Sequence, residues 1–444
     1  MEIGSKAVEK ALSLGATEAE AYIKRSTIIQ ASFSDEIDDL KTTTSTGMGL
    51  RIVIGKRTAM YSTSILREGE VSDAAQRAVD IARVAPEDSD WKHLNRSYGK
   101  SPVKGAFDED TSRIEYTEII EDIRAAIDAA NSYDPRVRPT RGMLQIGTTT
   151  TSIVNSYGDP IEARGTAASA YILVKAEDDG LEISGTETRE VRAWSDMNLE
   201  SIAEGASEKA IGYLKAKPIT GGKMPVILDG KISARILGVM LSSPINADLV
   251  QKGGSPLADK MGDQIAAEDI TIIDDGTLPK GLNTGPFDAE GHPTQRTPVV
   301  EDGVLKSFLY DSYTALKDSV KSTGNAGRSG YSSPPSPSPT NLILAEGDVS
   351  PEEMIQETGR GLYVERVIGE WLSNPISGNL NATVTHGYLV EGGELKTPVK
   401  GVILGGNFYH LLKEGYELIG NDTMNSNNLY SPTVKLRTLT VAGK

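Results

Sequence analysis

The fold of the first half of the chain is decided by residues 142–175, GMLQIGTTTTSIVNSYGDPIEARGTAASAYILVK. Two long runs of Thr and apolar residues, 142–155 and 161–175, are separated by little more than Tyr157-Gly158-Asp159. Runs rich in β-branched residues on either side of a glycine turn are typical of paired antiparallel strands. We therefore predict a hairpin of two long strands at this position.

Further strands and helices extend this pattern in both directions. The Asp179-Gly180 turn predicts a third strand over 181–194, and Gly55-Lys56 predicts a similar turn nearer the N-terminus. Isoleucines at helical spacing predict a helix over 116–131. The remaining predicted elements are strands over 19–34, 37–45 and 48–62, and helices over 4–14, 198–214 and 72–84, the last capped by Ser72 with Ala75, Val79, Ile81 and Ala82 facing inward.

The character of the chain changes at Pro218–Gly222 (PITGG), which predicts a domain boundary. Beyond it, Asp-Gly and Gly-Gly turns separate short β-type runs, and helices are few, the best being 231–242 and 350–359. We predict an α+β protein in two parts. They are an N-terminal α+β domain over 1–217, divisible into subdomains 1–100 and 101–217, and a β-rich C-terminal domain over 218–444.

Composition excludes several classes of function. The 444 residues carry a formal net charge of −16, which argues against binding to nucleic acid or to an anionic membrane surface. No cysteine is present, so thiolate chemistry and cysteine-bound metals are impossible. The four histidines are too far apart in sequence to form an HExxH motif. The N-terminus lacks a secretory pattern and no apolar run is long enough to span a membrane, so a cytoplasmic location is expected.

A few residues are candidates for chemistry or metal binding. His292 lies in FDAEGHPTQR beside Asp288, Glu290 and Arg296, so it is a candidate general base or metal ligand; a solvated loop is the alternative. Asp274, Asp275 and Asp288 are similarly a candidate Ca²⁺ or Mg²⁺ site or simple turn residues. Gly47-Met48-Gly49 is interpreted as strand glycine, because a dinucleotide loop needs a third glycine and a helix.

The Gly/Ser/Pro-rich segment 322–340 (STGNAGRSGYSSPPSPSPT) is too biased in composition to build a core. We predict a long loop. A loop of this length inside a domain is often a lid or an interface arm, and a flexible surface insertion is the alternative.

The second half of the chain resembles the TldD/PmbA family in a series of stretches in the same order. These are 301–316 (EDGVLKSFLYDSYTAL), 322–327 (STGNAG), Asn341-Leu342, 361–364 (GLYV), 387–399 (GYLVEGGELKTPV), Gly406-Asn407, Gly420-Asn421-Asp422 and 431–443 (SPTVKLRTLTVAG). The N-terminal third agrees over 47–61 and 72–83. The resemblance covers most of the chain.

In that family the TldD arm resembles a zinc metallopeptidase, with HExxxH on a helix early in the C-terminal domain. Here the corresponding segment is 235–247 (RILGVMLSSPINA), and the motif position is occupied by Ser242, Ser243, Pro244, Ile245, Asn246 and Ala247. The resemblance therefore implies the PmbA/TldE arm, with no zinc site, no catalytic residues of its own and no cofactor.

The resemblance implies a non-catalytic subunit of a heterodimeric zinc metallopeptidase that acts on small unfolded peptides. The expected partner is a TldD-type zinc subunit, and the chain alone is expected to form a homodimer. The alternative is a stand-alone peptide-binding or chaperone-like module, to which the family's gyrase-modulator label would attach indirectly. An independent hydrolase built around His292 or Ser243 is a third hypothesis.

Overall fold

The computed structural model describes residues 2–443. Its helices are α1 (Glu2–Ser13), α2 (Glu68–Val84), α3 (Glu109–Ser112), α4 (Tyr116–Tyr133), α5 (Leu199–Gly212), α6 (Gly230–Leu241), α7 (Ala247–Gln251), α8 (Ser312–Asp318), α9 (Pro351–Gln356) and α10 (Phe408–His410). Strands of the first half are β1 (Glu18–Phe33), β2 (Ile37–Ile54), β3 (Arg57–Thr63), β4 (Val137–Asn155), β5 (Gly158–Asp178) and β6 (Leu181–Val191).

The second half contains fifteen further strands among the described residues. They are β7 (Gly222–Leu228), β8 (Ile272–Asp275), β9 (Arg296–Glu301), β10 (Val304–Leu305), β11 (Ala326–Gly327), β12 (Ser336–Pro337), β13 (Leu342–Leu344), β14 (Arg360–Ile368), β15 (Asn379–Glu391), β16 (Glu394–Val399), β17 (Val402–Asn407), β18 (Tyr416–Ile419), β19 (Met424–Ser426), β20 (Leu429–Ser431) and β21 (Val434–Ala442). The predicted α+β class, with a β-rich second half, is confirmed.

The first six strands form one antiparallel sheet in the order β3-β2-β1-β4-β5-β6. The predicted hairpin of long strands is present as β4 and β5, which pair from Val137 with Ala176 to Asn155 with Gly158. Two separate cores lie on this sheet. Helices α1 and α2 pack on one end of it and α4 and α5 on the other, through mostly Ala, Ile and Val side chains.

Three details of the predicted N-terminal elements are wrong. Residues 37–45 and 48–54 form one continuous strand, because the pairing of β2 with β1 continues without interruption through Thr46 and Gly47. Helix α2 begins at Glu68 after Arg67, so Ser72 lies within the helix and does not cap it. Ile81 is 43% exposed, whereas Ala75, Val79 and Ala82 are buried as predicted.

The second half is built from two sheets around one core. One sheet has the order β14-β7-β21-β17-β15-β16, with β18 added on β21, and the other has the order β10-β9-β8-β13-β20-β19. Helix α6 packs on β14, β19 and β20, so it lies between the sheets. Helix α9 begins with Pro351, and Ser350 caps it by forming a capping box with Glu353.

The segment 322–340 is an ordered arm that joins the two halves. Its ends pair as β11 and β12, and Asn325 and Ala326 are buried. Tyr331 lies on β2, where a Cβ at Gly49 would stand 1.8 Å from the Tyr331 carbonyl oxygen. Gly47 and Gly49 are thus strand glycines, as predicted, and their lack of side chains admits the arm.

Within residues 2–443, no helix is both long enough and apolar enough to cross a membrane.

Candidate functional site

The two halves of the molecule are joined by a buried ionic network. Arg51 of β2 donates to Glu20 of β1 at 2.8 Å and to Glu290 of the second half at 2.7 Å. Glu20 also pairs with Arg328, which comes from the arm over 322–340. All four side chains are almost inaccessible to solvent. This network fixes the second half against the face of the N-terminal sheet.

The carboxylates predicted near His292 belong to this junction. Oδ1 of Asp288 accepts the backbone N–H groups of Glu290 and His292 at 2.8 and 3.0 Å, and Oδ2 accepts that of Ala326 at 3.1 Å. The imidazole of His292 faces the carbonyl of Pro293 at 3.0 Å. Arg296 is exposed at the start of β9. The four residues therefore do not converge on a common site. Asp288 accepts hydrogen bonds from backbone N–H groups, and Glu290 pairs with Arg51.

Burial and charge shift the pKa values in this junction. Burial raises the pKa of Asp288, and the nearby charge of Glu290 adds to the effect. Burial alone would raise the pKa of Glu290 too, but Arg51 and a backbone N–H of Ser312 lower it below its ordinary value. Burial beside Glu290 raises the pKa of Asp311 to about 6. Arg51 and backbone N–H groups thus stabilise several carboxyls in one buried space.

The candidate Ca²⁺ or Mg²⁺ aspartates are also engaged within loops. Asp274 accepts hydrogen bonds from the Asn325 amide and from the backbone and hydroxyl of Thr340. Asp275 accepts the backbone N–H and hydroxyl of Thr277 at 2.8 and 2.7 Å. Burial raises the pKa of Asp274 to about 7. The contacts of Asp274 anchor the arm, and those of Asp275 anchor a turn. The carboxylate oxygens of the two residues are therefore not directed at a common cation position.

Helix α6 borders a cleft within the second half of the chain, which we call the α6 cleft. It has a volume of about 440 Å³ and is lined by Arg235, Gly238, Val239 and Ser242 from the helix and its end, by Glu370 and Asn283, and by parts of 338–339 and 426–429. Arg235 forms an ion pair with the buried Glu370. Neither Arg235 nor Glu370 was singled out from sequence, because only their side-by-side position reveals the pair.

The segment aligned with the zinc motif lies mostly beyond this helix. Helix α6 ends at Leu241, three residues before Pro244. Ser242 borders the α6 cleft, whereas Ser243 is exposed and Pro244 is buried. Asn246 precedes α7 as its N-cap residue. Ala247 is buried, and its backbone N–H donates to the carbonyl of Leu309. Only Ser242 of these positions therefore faces the cleft.

A second, larger cavity adjoins the α6 cleft and shares Arg235, Ser426 and Asn427 with it. We call it the edge cleft, because β6 forms one wall through residues 186–191. Its volume is about 800 Å³, and its other lining includes Lys209, Asp229, Lys231, Glu365 and residues 423–427. The cavity is therefore both polar and charged, with groups of both signs.

Ion pairs organise the charges of the edge cleft. Glu187 of β6 pairs with Lys209 at 2.5 Å and also with Lys231. Burial would raise the pKa of Glu187, but the two lysines lower it below its ordinary value. Burial raises the pKa of Glu365. His386 is buried nearby, and burial together with the charge of Arg366 lowers its pKa to about 4.

Comparison with known proteins matches the whole arrangement to one family. Residues 19–82, 109–214 and 221–443 match the sequence patterns of domain 1, the central domain and the C-terminal domain of PmbA/TldA metallopeptidase. The chain is 31% identical over 402 residues to an uncharacterized protein of Methanocaldococcus jannaschii, covering 90% of each chain. The chain belongs to the PmbA/TldD family of metallopeptidases, as its sequence resemblance predicted.

Two further relatives support the same placement. The metalloprotease PmbA of Escherichia coli O157:H7 is 26% identical over 462 residues, covering 100% of this chain and 97% of that protein. The crystal structure of TldE from Thermococcus kodakarensis is 25% identical with a TM-score of 0.90, covering 98% of this chain and 100% of that one. The fold described above is thus that of TldE.

The family name raises the question of whether α6 suits a zinc ion. Protein zinc is held by Cys, His, Asp or Glu. Helix α6 and its end contribute a guanidinium, two residues without ligand atoms and a hydroxyl to the α6 cleft. Of the four zinc-binding residue types, its lining contains Glu370, which is already paired with that guanidinium. Across residues 2–443, no three side chains of the four zinc-binding types stand close enough to hold an ion. The donor set of the α6 cleft therefore does not fit zinc.

Proposed function

We propose that this chain is the metal-free subunit of a TldD/TldE-type heterodimeric metallopeptidase acting on small unfolded peptides. The observation that carries the proposal is the lining of the α6 cleft, where Arg235 and its ion pair with Glu370 stand beside the helix. Glu370 is the carboxylate in this lining and is already paired with Arg235, so no ligand is left for Zn²⁺ and water activation falls to another chain.

The remaining role is structural and substrate-binding. The α6 cleft and the edge cleft share Arg235, Ser426 and Asn427, and together they offer polar walls to a peptide beside a partner's catalytic site. We further propose a TldD-type zinc subunit as the partner, self-association when the chain is alone, a cytoplasmic location, and no contact with nucleic acid or membrane. The division into an N-terminal part over 1–217 and a C-terminal part over 218–444 belongs to the same proposal.

The test is co-expression of this full chain with a TldD-type chain from the same cell, followed by affinity capture and zinc measurement for each chain. The expected result is an equimolar complex with zinc on the partner, and peptide cleavage only by the complex. Stoichiometric zinc on this chain, or cleavage by this chain alone in a preparation free of metalloprotease, would overturn the proposal. Failure of the two chains to associate would overturn it as well.

The stand-alone alternative predicts a different outcome of the same experiment. A peptide-binding or chaperone-like module would bind peptide saturably, return it uncleaved and need no TldD-type chain.

A further inference from the structure

The outer edge of β6 is an unpaired strand edge inside a cleft. In the described part of the chain, β6 pairs with β5 on one side, and no strand pairs with its other side. Strand β19, at the end of its own sheet, lines the same edge cleft through residues 424–426. An unpaired edge presents backbone N–H and C=O groups in a row, which is the feature that an added strand recognises.

The geometry of the β5–β6 turn shows which residues present these groups. Asp179 and Gly180 both have positive φ, 49° and 75°, as in a two-residue type I′ turn, and Asp178 pairs with Leu181 across it. The pair flanking such a turn is hydrogen-bonded, and hydrogen-bonded pairs alternate along the ladder. Odd-numbered residues of β6 therefore bond to β5, and even-numbered residues direct their N–H and C=O groups outward.

Two contacts agree with this parity. The carbonyl of Ser184 accepts a hydrogen bond from Nε2 of His386 at 2.9 Å, and the carbonyl of Thr188 accepts one from Nζ of Lys231 at 3.0 Å. Both acceptors are even-numbered, and both partners come from outside the N-terminal sheet. Thr186, Thr188 and Glu190 thus turn their backbone groups toward the edge cleft that they line.

We infer that the outer edge of β6 over residues 186–190 holds an extended peptide as an added strand in the edge cleft. The free edge over 186–190 has room for roughly five residues at about 3.3 Å each. The inference rests on the proposed peptidase role for its biological meaning and adds to it the particular strand that reads the peptide backbone.

The surroundings of the edge favour a single peptide strand over a partner's sheet. Helix α6 and the hairpin of β19 and β20 stand around the cleft, and the backbone N–H of Asn427 at the hairpin tip bonds Glu190. These elements leave a cavity of about 800 Å³, within the range of ligand sites, instead of an open surface. Charged groups of both signs line it, so the backbone of β6 is the feature that every peptide can use.

Lys231 occupies one of the outward backbone groups of β6, the carbonyl of Thr188. Its ammonium bridges Glu187 and the Thr188 carbonyl, which protects the edge when no peptide is bound. A peptide N–H replaces the ammonium at the carbonyl, and Lys231 stays on Glu187. The N–H of Thr188 pairs at the same time with a peptide carbonyl.

The experiment removes that N–H alone. Thr188→Pro deletes an outward N–H and leaves the odd-numbered ladder bonds to β5, and proline is tolerated at such edge positions. Thr188→Ala is the matched control, because it removes the side chain and keeps the N–H. The probe is a fluorescein-labelled hexapeptide, Gly-Val-Thr-Val-Thr-Gly, titrated by fluorescence anisotropy against the full chain. Its analogue N-methylated at all four internal residues, which leaves neither edge of the peptide able to donate, is titrated in parallel.

We expect Thr188→Pro to weaken peptide binding about tenfold or more, because it loses a backbone hydrogen bond to the peptide. Thr188→Ala keeps that N–H and should weaken binding by less than about threefold. The N-methylated peptide should bind wild-type protein at least about tenfold more weakly than its parent. This second comparison needs no variant, so it decides the matter even if Thr188→Pro does not fold. Equal binding of the two peptides, equal binding by Thr188→Pro and Thr188→Ala, or no binding by wild type would overturn the inference.

Partner capture separates this inference from the proposed function. Thr188→Pro should capture the TldD-type chain as wild type does. If wild type captures no such chain but the peptide comparisons hold, the subunit role fails and the strand site stands. If capture succeeds and the peptide comparisons fail, the strand site fails alone.

Discussion

Replacing Arg51 with methionine tests whether the buried network holds the two halves together. The substitution keeps much of the side-chain volume but removes the charge that contacts Glu20 and Glu290 at 2.8 and 2.7 Å. Glu20 retains Arg328, whereas Glu290 is left buried beside Asp288 and Asp311. Breaking one side of a buried pair costs about 3–5 kcal/mol, so the free energy of unfolding should fall by that amount at pH 7.

The loss should depend on pH with a definite sign. In wild type the pKa of Glu290 is lowered, so its contribution to stability is present above its unfolded value and lost as the pH falls through the lower, folded value. Without Arg51 the remaining burial raises its pKa, and the penalty of ionising it grows as the pH rises. The difference between the variant and wild type should therefore shrink from pH 7 toward pH 4.5.

Urea denaturation followed by tryptophan fluorescence measures this loss, since Trp91 lies 5.9 Å from the Arg51 guanidinium. Arg113→Met is the control: Arg113 pairs with Glu109 but is 75% exposed, so about 0.5 kcal/mol or less is expected. Adding Glu290→Gln to Arg51→Met should recover part of the loss, because no buried charge remains unpaired. A loss below about 1 kcal/mol, or one independent of pH, would contradict the reasoning.

Two further substitutions test the arm and the coupled carboxyls. Gly49→Ala should lower the free energy of unfolding by about 1–3 kcal/mol in urea denaturation, because its Cβ would stand 1.8 Å from the Tyr331 carbonyl oxygen. The control Gly69→Ala, in α2, meets open space and should not destabilise the protein. Equal effects of the two substitutions would show that the arm does not lie on β2. Because the pKa of Asp311 is raised to about 6, its contribution to stability is complete below its ordinary, unfolded value and is lost as the pH rises through 6. Asp311→Asn keeps a capping group for α8 and should remove that dependence between pH 4 and 7 in urea midpoints; an unchanged pH profile would refute the assignment.

Local pattern was sufficient for most of the secondary structure. Gly55-Lys56 and Asp179-Gly180 predicted turns correctly because a positive φ at glycine is a local requirement. The start of α2 was wrong because Ser72 is a good capping residue, but the chain continues the helix back to Glu68 with a more acidic first turn. The break between 45 and 48 was wrong because the pairing of β2 with β1, which depends on a partner strand elsewhere in the sequence, continues through Thr46 and Gly47.

The arm illustrates what a single sequence leaves open. Composition correctly predicted a loop over 322–340, and an interface arm was one of the alternatives. Its burial depends on Arg328 reaching Glu20, which lies 308 positions away in the chain. No local pattern encodes that distance, so the choice between an arm and a surface insertion required the structure.

The sequence likewise predicted the candidate site only in part. Nearness in sequence placed His292, Asp288, Glu290 and Arg296 together, but the carboxylates face inward to backbone groups and Arg51 while Arg296 faces solvent. The pair of Arg235 and Glu370 is 135 positions apart in sequence and was missed. The sequence shows Arg235 as a charged residue in an apolar helix and Glu370 as a charged residue after a glycine. Neither feature indicates which residue is the partner.

The ionic network and the strand edge are connected through the position of β6. The network fixes the second half on β1 and β2, while Arg192, just after β6, donates to the carbonyls of Gly281 and Thr284 in the second half. Helix α6 is thereby held facing β6, with Lys231 on Glu187. The edge cleft lies between β6 and elements of the second half that these two junctions hold in place. Weakening the Arg51 junction should therefore reduce peptide affinity through loss of the cleft, whereas Thr188→Pro reduces it with the cleft intact.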